Sequence, residues 1–154
     1  MKSNNVIYKA IKFSTTEAEF SFLSGEWVIN NDPGEDIWSY NGNVITAQQN
    51  TNPGSRIYHP IEELVVGNDY VVSFDVQYFE QTDSAPALNF ALGDSTNSSQ
   101  RSGVSGPRGG GSTESISFTL TCYSKKIEFL NNRYVVGVPP FSGIVSNISI
   151  TPVE

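Results

Sequence analysis

An all-β fold, built as an antiparallel sandwich of short strands, is what this sequence of 154 residues predicts. Three observations carry the prediction. Residues 69–79 alternate strictly, with Tyr70, Val72, Phe74, Val76 and Tyr78 on one side of an extended chain and Val71, Ser73, Asp75, Gln77 and Phe79 on the other. That is the period of a strand with one buried face. Shorter runs of the same kind recur between turn residues, and no long segment places apolar residues at helical spacing.

The elements follow in order. Strands are expected near 5–13, 17–22, 26–30, 36–40, 43–49, 56–59, 69–79, 87–92, 114–122, 126–130 and 143–151. Their separators have turn chemistry: "SG" at 24–25, "NDPG" at 31–34, "NG" at 41–42, "NPG" at 52–54 and "GND" at 67–69. Half a turn of helix is expected within "IYHPIEEL". Residues 93–113, "GDSTNSSQRSGVSGPRGGGST", hold almost nothing apolar except Val104. Such a segment is expected to bury no core and to form a long flexible loop. The whole of 1–154 then reads as a single domain, a length that supports its own core.

Composition removes several function classes. The single Cys122 excludes an internal disulfide and a cysteine-built metal site, and its place in "FTLTCYS" marks it as a small core residue. Net charge is −7 with no Lys/Arg cluster beyond Lys125 and Lys126, which argues against a nucleic-acid partner. No stretch has the length of a membrane span, and "MKSNNVIYKAIKF" lacks a signal-peptide core, so neither membrane nor signal-led export is expected.

Catalytic patterns are missing as well. His59, the only histidine, precedes Pro60 in a turn and reads as structural; there is no G-x-S-x-G elbow. "GPRGGGS" has glycines but no Lys before its Ser, so it is not a phosphate loop. The acid pairs Glu17/Glu19, Glu35/Asp36 and Glu62/Glu63 have no spacing that separates them from solvated surface charge. No enzyme activity is expected.

The order of features resembles a known family. Trp27 follows a Phe-rich early stretch, "EFSFLSGEW". The middle strand "VVGNDYVVSFDVQYF" is similar to a G-x-x-Y-x-v-S-F-x-v pattern, "SISFTLT" to a Phe-Thr strand, and "SGIVSNISITPVE" to a closing v-x-i-D-N-v-s-l strand. These belong to the jelly-roll, galactose-binding-like carbohydrate-binding modules of families four, nine and twenty-two, and the resemblance spans most of the chain. It implies a jelly roll. Two departures stand out: Ser146 replaces the Asp of the closing D-N, and "AEFSFLS" replaces an early Asn-Gly…Phe-Glu element. Those acids commonly help hold a structural calcium in the family, so no cofactor is expected here, with a structural calcium the one alternative left open because scattered Asp, Asn and backbone carbonyls suffice to bind it.

The same fold recurs in bacteriophage decoration, fibre and tail proteins, and fold alone does not choose a function. Two expectations follow. The first is a virion structural part, made in a host cytoplasm, whose partners are other virion or surface proteins or a second copy of the chain. Arg101 and Arg108 of the long loop are its candidate contacts. The second is a glycan-binding module. Sugar sites combine aromatic platforms with amides and carboxylates, and the candidates are Trp38, Tyr40, Tyr58, Asp75, Gln77 and Tyr134.

Overall fold

The computed structural model describes residues 26–30, 38–48, 55–79, 88–104, 110–131 and 141–153. The expected strands at 5–13 and 17–22 lie outside these residues, as do Tyr134 and Arg108. The described strands are β1 (Val28–Asn30), β2 (Trp38–Asn41), β3 (Val44–Ala47), β4 (Arg56–Pro60), β5 (Asp69–Tyr78), β6 (Leu88–Ala91), β7 (Ser102–Val104), β8 (Thr113–Thr121), β9 (Lys126–Asn131) and β10 (Gly143–Pro152). They form two antiparallel five-stranded sheets, β1-β4-β9-β6-β7 and β2-β3-β10-β5-β8. This is the jelly-roll sandwich that the alternation and the family resemblance imply.

The core fills the space between the sheets. β5 supplies Tyr70, Val72, Phe74, Val76 and Tyr78, all buried, and the facing sheet supplies Ile57, Leu88, Phe90, Ile127 and Phe129. Phe74 sits at the centre, edge-on to Phe90 with ring centroids 4.9 Å apart and to Phe129 at 5.3 Å, the arrangement that aromatic quadrupoles favour. Cys122 is fully buried, as its alternating stretch predicts. His59 lies under Trp27, ring centroids 5.2 Å apart, with Nδ1 donating to the Pro60 carbonyl at 2.7 Å.

Local chemistry sets the turns. The β2–β3 hairpin closes through Gly42 and Asn43, and Gly42 takes the positive φ of 62° that a tight hairpin of this hand needs. At Gly143 the β5 backbone comes so close that an added Cβ would collide with the Gln77 carbonyl. The β5–β10 register shifts between Ser146 and Ser149, and Asn147 absorbs the bulge at φ 53°. Asparagine is among the few side chains that tolerate this conformation.

Two expectations need correction. The half turn in "IYHPIEEL" is not helix: residues 61–68 run through plain turns, held by Tyr70, whose hydroxyl accepts from the Val65 amide at 2.9 Å. The segment 93–113 is not free of packed structure either. Ser102–Val104 form β7 beside β6, Val104 is buried, and Ser95 is fully buried. Residues 94–101 coil tightly because short polar side chains satisfy the backbone. Asp94 accepts from the Thr96 amide at 2.9 Å, Asn97 from the Ser99 amide at 2.9 Å, and Gln100 from the Asp94 amide at 2.9 Å. Arg101 donates to the Thr96 carbonyl at 3.1 Å and so braces its own turn.

Candidate functional site

The outer face of the β1-β4-β9-β6-β7 sheet carries the most organised polar chemistry among the described residues. In β4, Ile57 and His59 point inward, so Arg56, Tyr58 and Pro60 point outward. Across the antiparallel ladder Arg56 faces Leu130, Tyr58 faces Glu128 and Pro60 faces Lys126. Those three β9 residues therefore share the outer face.

An outward-facing acid on a sheet should be wet, yet Glu128 is 1% exposed. The turn after β6 covers it. Both the amide and the hydroxyl of Ser95 donate to Glu128 Oε1, each at 2.8 Å. The other oxygen, Oε2, faces Lys126 Nζ at 3.4 Å and Arg56 Nη1 at 3.8 Å. A buried carboxylate needs this much compensation, because desolvating it without partners is costly. Lys126 Nζ also stands 4.8 Å from the centroid of the Tyr58 ring, within cation–π range. Glu128 thus holds two cations in place, one of them against an aromatic ring. Asp94 borders the cluster. The Thr96 hydroxyl holds its carboxyl below the usual range; burial opposes this, and the Thr96 amide, Arg56 and Lys126 add to the lowering.

The opposite outer face, on β10-β5-β8, is different. Ser73, Asp75 and Gln77 lie there, away from the core, as their alternation predicts. Asp75 accepts from Asn147 Nδ2 at 2.8 Å and from Ser115 Oγ at 2.7 Å, and these two bonds, Asn147 first, hold its carboxyl below the usual range. Ser73 and Ser117 share a hydrogen bond at 3.2 Å. With Asn147 they line a shallow depression of about 300 Å³ that has no aromatic wall of its own beyond Phe74 on its floor.

The five expected glycan residues that are described, all but Tyr134, are therefore not one platform. Trp38 is core: it is buried, its Nε1 donates to the Ser55 carbonyl at 2.9 Å, and its ring stacks on Phe141 at 6.2 Å. Tyr40 shares that core-facing side, as two residues on one strand must, but sits half-exposed at the sheet margin. Tyr58 lies on one outer face of the sandwich, Asp75 and Gln77 on the other. Glu128, Ser95, Arg56 and Lys126 escaped the sequence reading. One signal was available: an acid within the short apolar run "IEFL", directly after Lys125 and Lys126. Among the described residues no group of three or more His, Cys, Asp or Glu is placed to hold a metal ion.

Solved structures share this fold at low sequence identity. A tandem pair of family 22 modules from Paenibacillus barcinonensis Xyn10C matches with a TM-score of 0.53 and 11% identity, over 86% of this chain and 48% of that one. The C-terminal family 22 carbohydrate binding module of Clostridium thermocellum Xyn10B matches with a TM-score of 0.49 and 15% identity, over 88% of this chain and 90% of that one. The enzymatically active domain of tailspike protein 4 from bacteriophage CBA120 matches with a TM-score of 0.49 and 10% identity, over 94% of this chain and 21% of that one. No protein-family model matches the chain, and no curated protein matches it in sequence. The chain has a carbohydrate-binding-module-like jelly-roll fold.

Proposed function

We propose that this chain is a non-catalytic glycan-binding module whose binding face is the outer side of the β1-β4-β9-β6-β7 sheet. The observation that carries the reading is the Glu128 cluster. Sugars bind where an aromatic ring lies beside fixed hydrogen-bond donors and acceptors. Tyr58 supplies the ring, and Arg56 and Lys126 supply donors that Glu128 already holds in place. Long cationic side chains lose much rotamer freedom on binding, so holding them beforehand lowers the cost of capturing a ligand. Glu128 itself has both oxygens engaged, which suits a positioning role rather than proton transfer.

The neighbour with the highest TM-score of the three described, a pair of family 22 modules, supports this reading over the first expectation, a virion structural part. The test is a glycan array followed by calorimetry on the best soluble glycan. Binding is expected to weaken at least tenfold in Tyr58→Ala and in Arg56→Ala, and to be unchanged in the double variant Asp75→Ala/Gln77→Ala. Loss of binding in that double variant with Tyr58→Ala unaffected would move the site to the opposite face. A blank array would end the glycan reading.

A further inference from the structure

The Glu128 cluster holds more positive charge than its acid can match. Glu128 Oε1 is taken by the Ser95 amide and hydroxyl, each at 2.8 Å. One oxygen, Oε2, serves two cations, Lys126 Nζ at 3.4 Å and Arg56 Nη1 at 3.8 Å. At 3.8 Å the guanidinium is beyond hydrogen-bond distance, so none of its N–H donors is spent on Glu128. Lys126 stands over one face of the Tyr58 ring, 4.8 Å from the centroid. A sugar that approaches that face meets an ammonium group before it meets the ring. Both cationic side chains are partly exposed and so within reach of a ligand.

The placement of charge sharpens the contrast. Among the described strands, Arg56 and Lys126 are the only Lys or Arg residues, and both lie on this face, in a chain of net charge −7. The strands of the opposite sheet carry Asp69, Asp75 and Glu114 and no Lys or Arg. Asp94 is the opposing group at the cluster. It lies within electrostatic reach of both cations, but their ion pairs are to Glu128. One Asp94 oxygen is occupied by its own turn, accepting from the Thr96 amide at 2.9 Å and the Thr96 hydroxyl at 2.6 Å.

We propose that the ligand of this face is an acidic glycan, a polymer of hexuronate residues, one carboxylate of which bridges Arg56 and Lys126. The proposal rests on the glycan reading and narrows it. A neutral hydroxyl can accept a hydrogen bond from either cation, but it leaves the excess charge in place. A carboxylate neutralises that charge, and its bonds to cations are roughly twice as strong as those between neutral groups. Its two oxygens can turn one to each cation, because both cations border the same oxygen of Glu128. In a hexuronate the carboxylate is bonded directly to the sugar ring, which suits an ammonium group that borders the aromatic ring. The net charge of −7 repels an anionic polymer at long range. At physiological salt that repulsion is screened beyond about 8 Å, whereas contacts at partly buried groups are screened much less.

Calorimetry on paired probes at physiological salt tests the proposal. The probes are oligomers of galacturonate, glucuronate and mannuronate, each set against its methyl ester, which removes the charge and keeps every ring hydroxyl. At least one uronate should bind about tenfold or more tighter than its ester, the worth of a charge-assisted bond over a neutral one. Arg56→Gln and Lys126→Gln, each with the parent's near-UV spectrum, should bring that uronate down towards its ester. Arg56→Lys keeps the charge and should keep a preference, reduced because the fork is lost. Asp94→Asn removes the opposing charge and should widen the preference severalfold. Esters or neutral glycans that bind as tightly as the uronates would overturn the acidic assignment and leave the glycan reading standing. So would a preference that survives both glutamine variants. Tighter binding of dextran sulfate than of any uronate would overturn the carboxylate assignment. Binding to no glycan, neutral or acidic, would end both readings.

Discussion

Glu128→Ala removes the group on which the candidate site is built. Its largest effect should come from Ser95 rather than from the cations. The Ser95 amide and hydroxyl each donate to Glu128 at 2.8 Å, and Ser95 is fully buried. Hydrogen bonds to a charged acceptor contribute about 1.5–3 kcal/mol each. The hydroxyl can rotate toward another acceptor, whereas the amide cannot. Arg56 and Lys126 have side chains 29% and 28% exposed, so they return to water and add little. The expected loss is about 3 kcal/mol, at the lower end of what breaking a buried ion pair costs. Glu128→Gln keeps one oxygen for Ser95 and should cost about 1 kcal/mol. Trp27 and Trp38 are buried and report unfolding by fluorescence. With a urea m-value of about 1–3 kcal/mol/M, the midpoint should fall by roughly 1–3 M in the Ala variant and by less than half of that in Gln. Equal losses in the two variants, or an Ala midpoint within about 0.3 M of the parent, would refute the assignment of Ser95 as the principal partner.

Three further outcomes are expected. Phe74→Ala, at the centre of the aromatic cluster, should destabilise by about 3–5 kcal/mol in the same urea assay; a cost under about 1 kcal/mol would mean that the site collapses around the lost ring. The carboxyls of Asp75 and Asp94 are both held below the usual range. Each therefore contributes stability that is present above the unfolded value of about 3.9 and is lost as pH falls through the lower folded value. Stability should be level from neutral pH to about 5 and decline below about 4, with a shallower decline in Asp75→Asn/Asp94→Asn; an identical slope in that double variant would assign the acid sensitivity to other groups. In hydrogen exchange the Ser95 amide should be protected far beyond that of Thr113, an exposed residue at the start of β8; fast exchange at Ser95 would return residues 93–104 to the flexible loop that their composition suggests.

Much of the scaffold was legible locally. Strand alternation has a period of two, so "DYVVSFDVQY" announces both that β5 is a strand and which side of it is buried. Turn chemistry then marks the breaks, and β2, β3, β4, β6, β8, β9 and β10 fall within one or two residues of where Gly, Pro, Asn and alternation place them. β7 was missed because three residues, Ser-Gly-Val, are too short to show a period, and their pairing to β6 is a non-local event.

The amino-acid sequence by itself determined most of the described strands, the inward side of β5 and the sandwich architecture, since each depends on neighbours along the chain. Which outer face carries a site was decided only by the tertiary structure. Alternation says that Trp38 and Tyr40 share a side, but not that the side is the core. It says that Tyr58 and Asp75 both alternate with apolar residues, but not that they lie on opposite faces of the sandwich. Glu128 shows the limit most clearly. Its outward position follows from the strand period, whereas its burial follows from Ser95, 33 residues away in sequence, folding over it. Period and propensity act between neighbours, while desolvation of a carboxylate depends on whatever the fold brings across it.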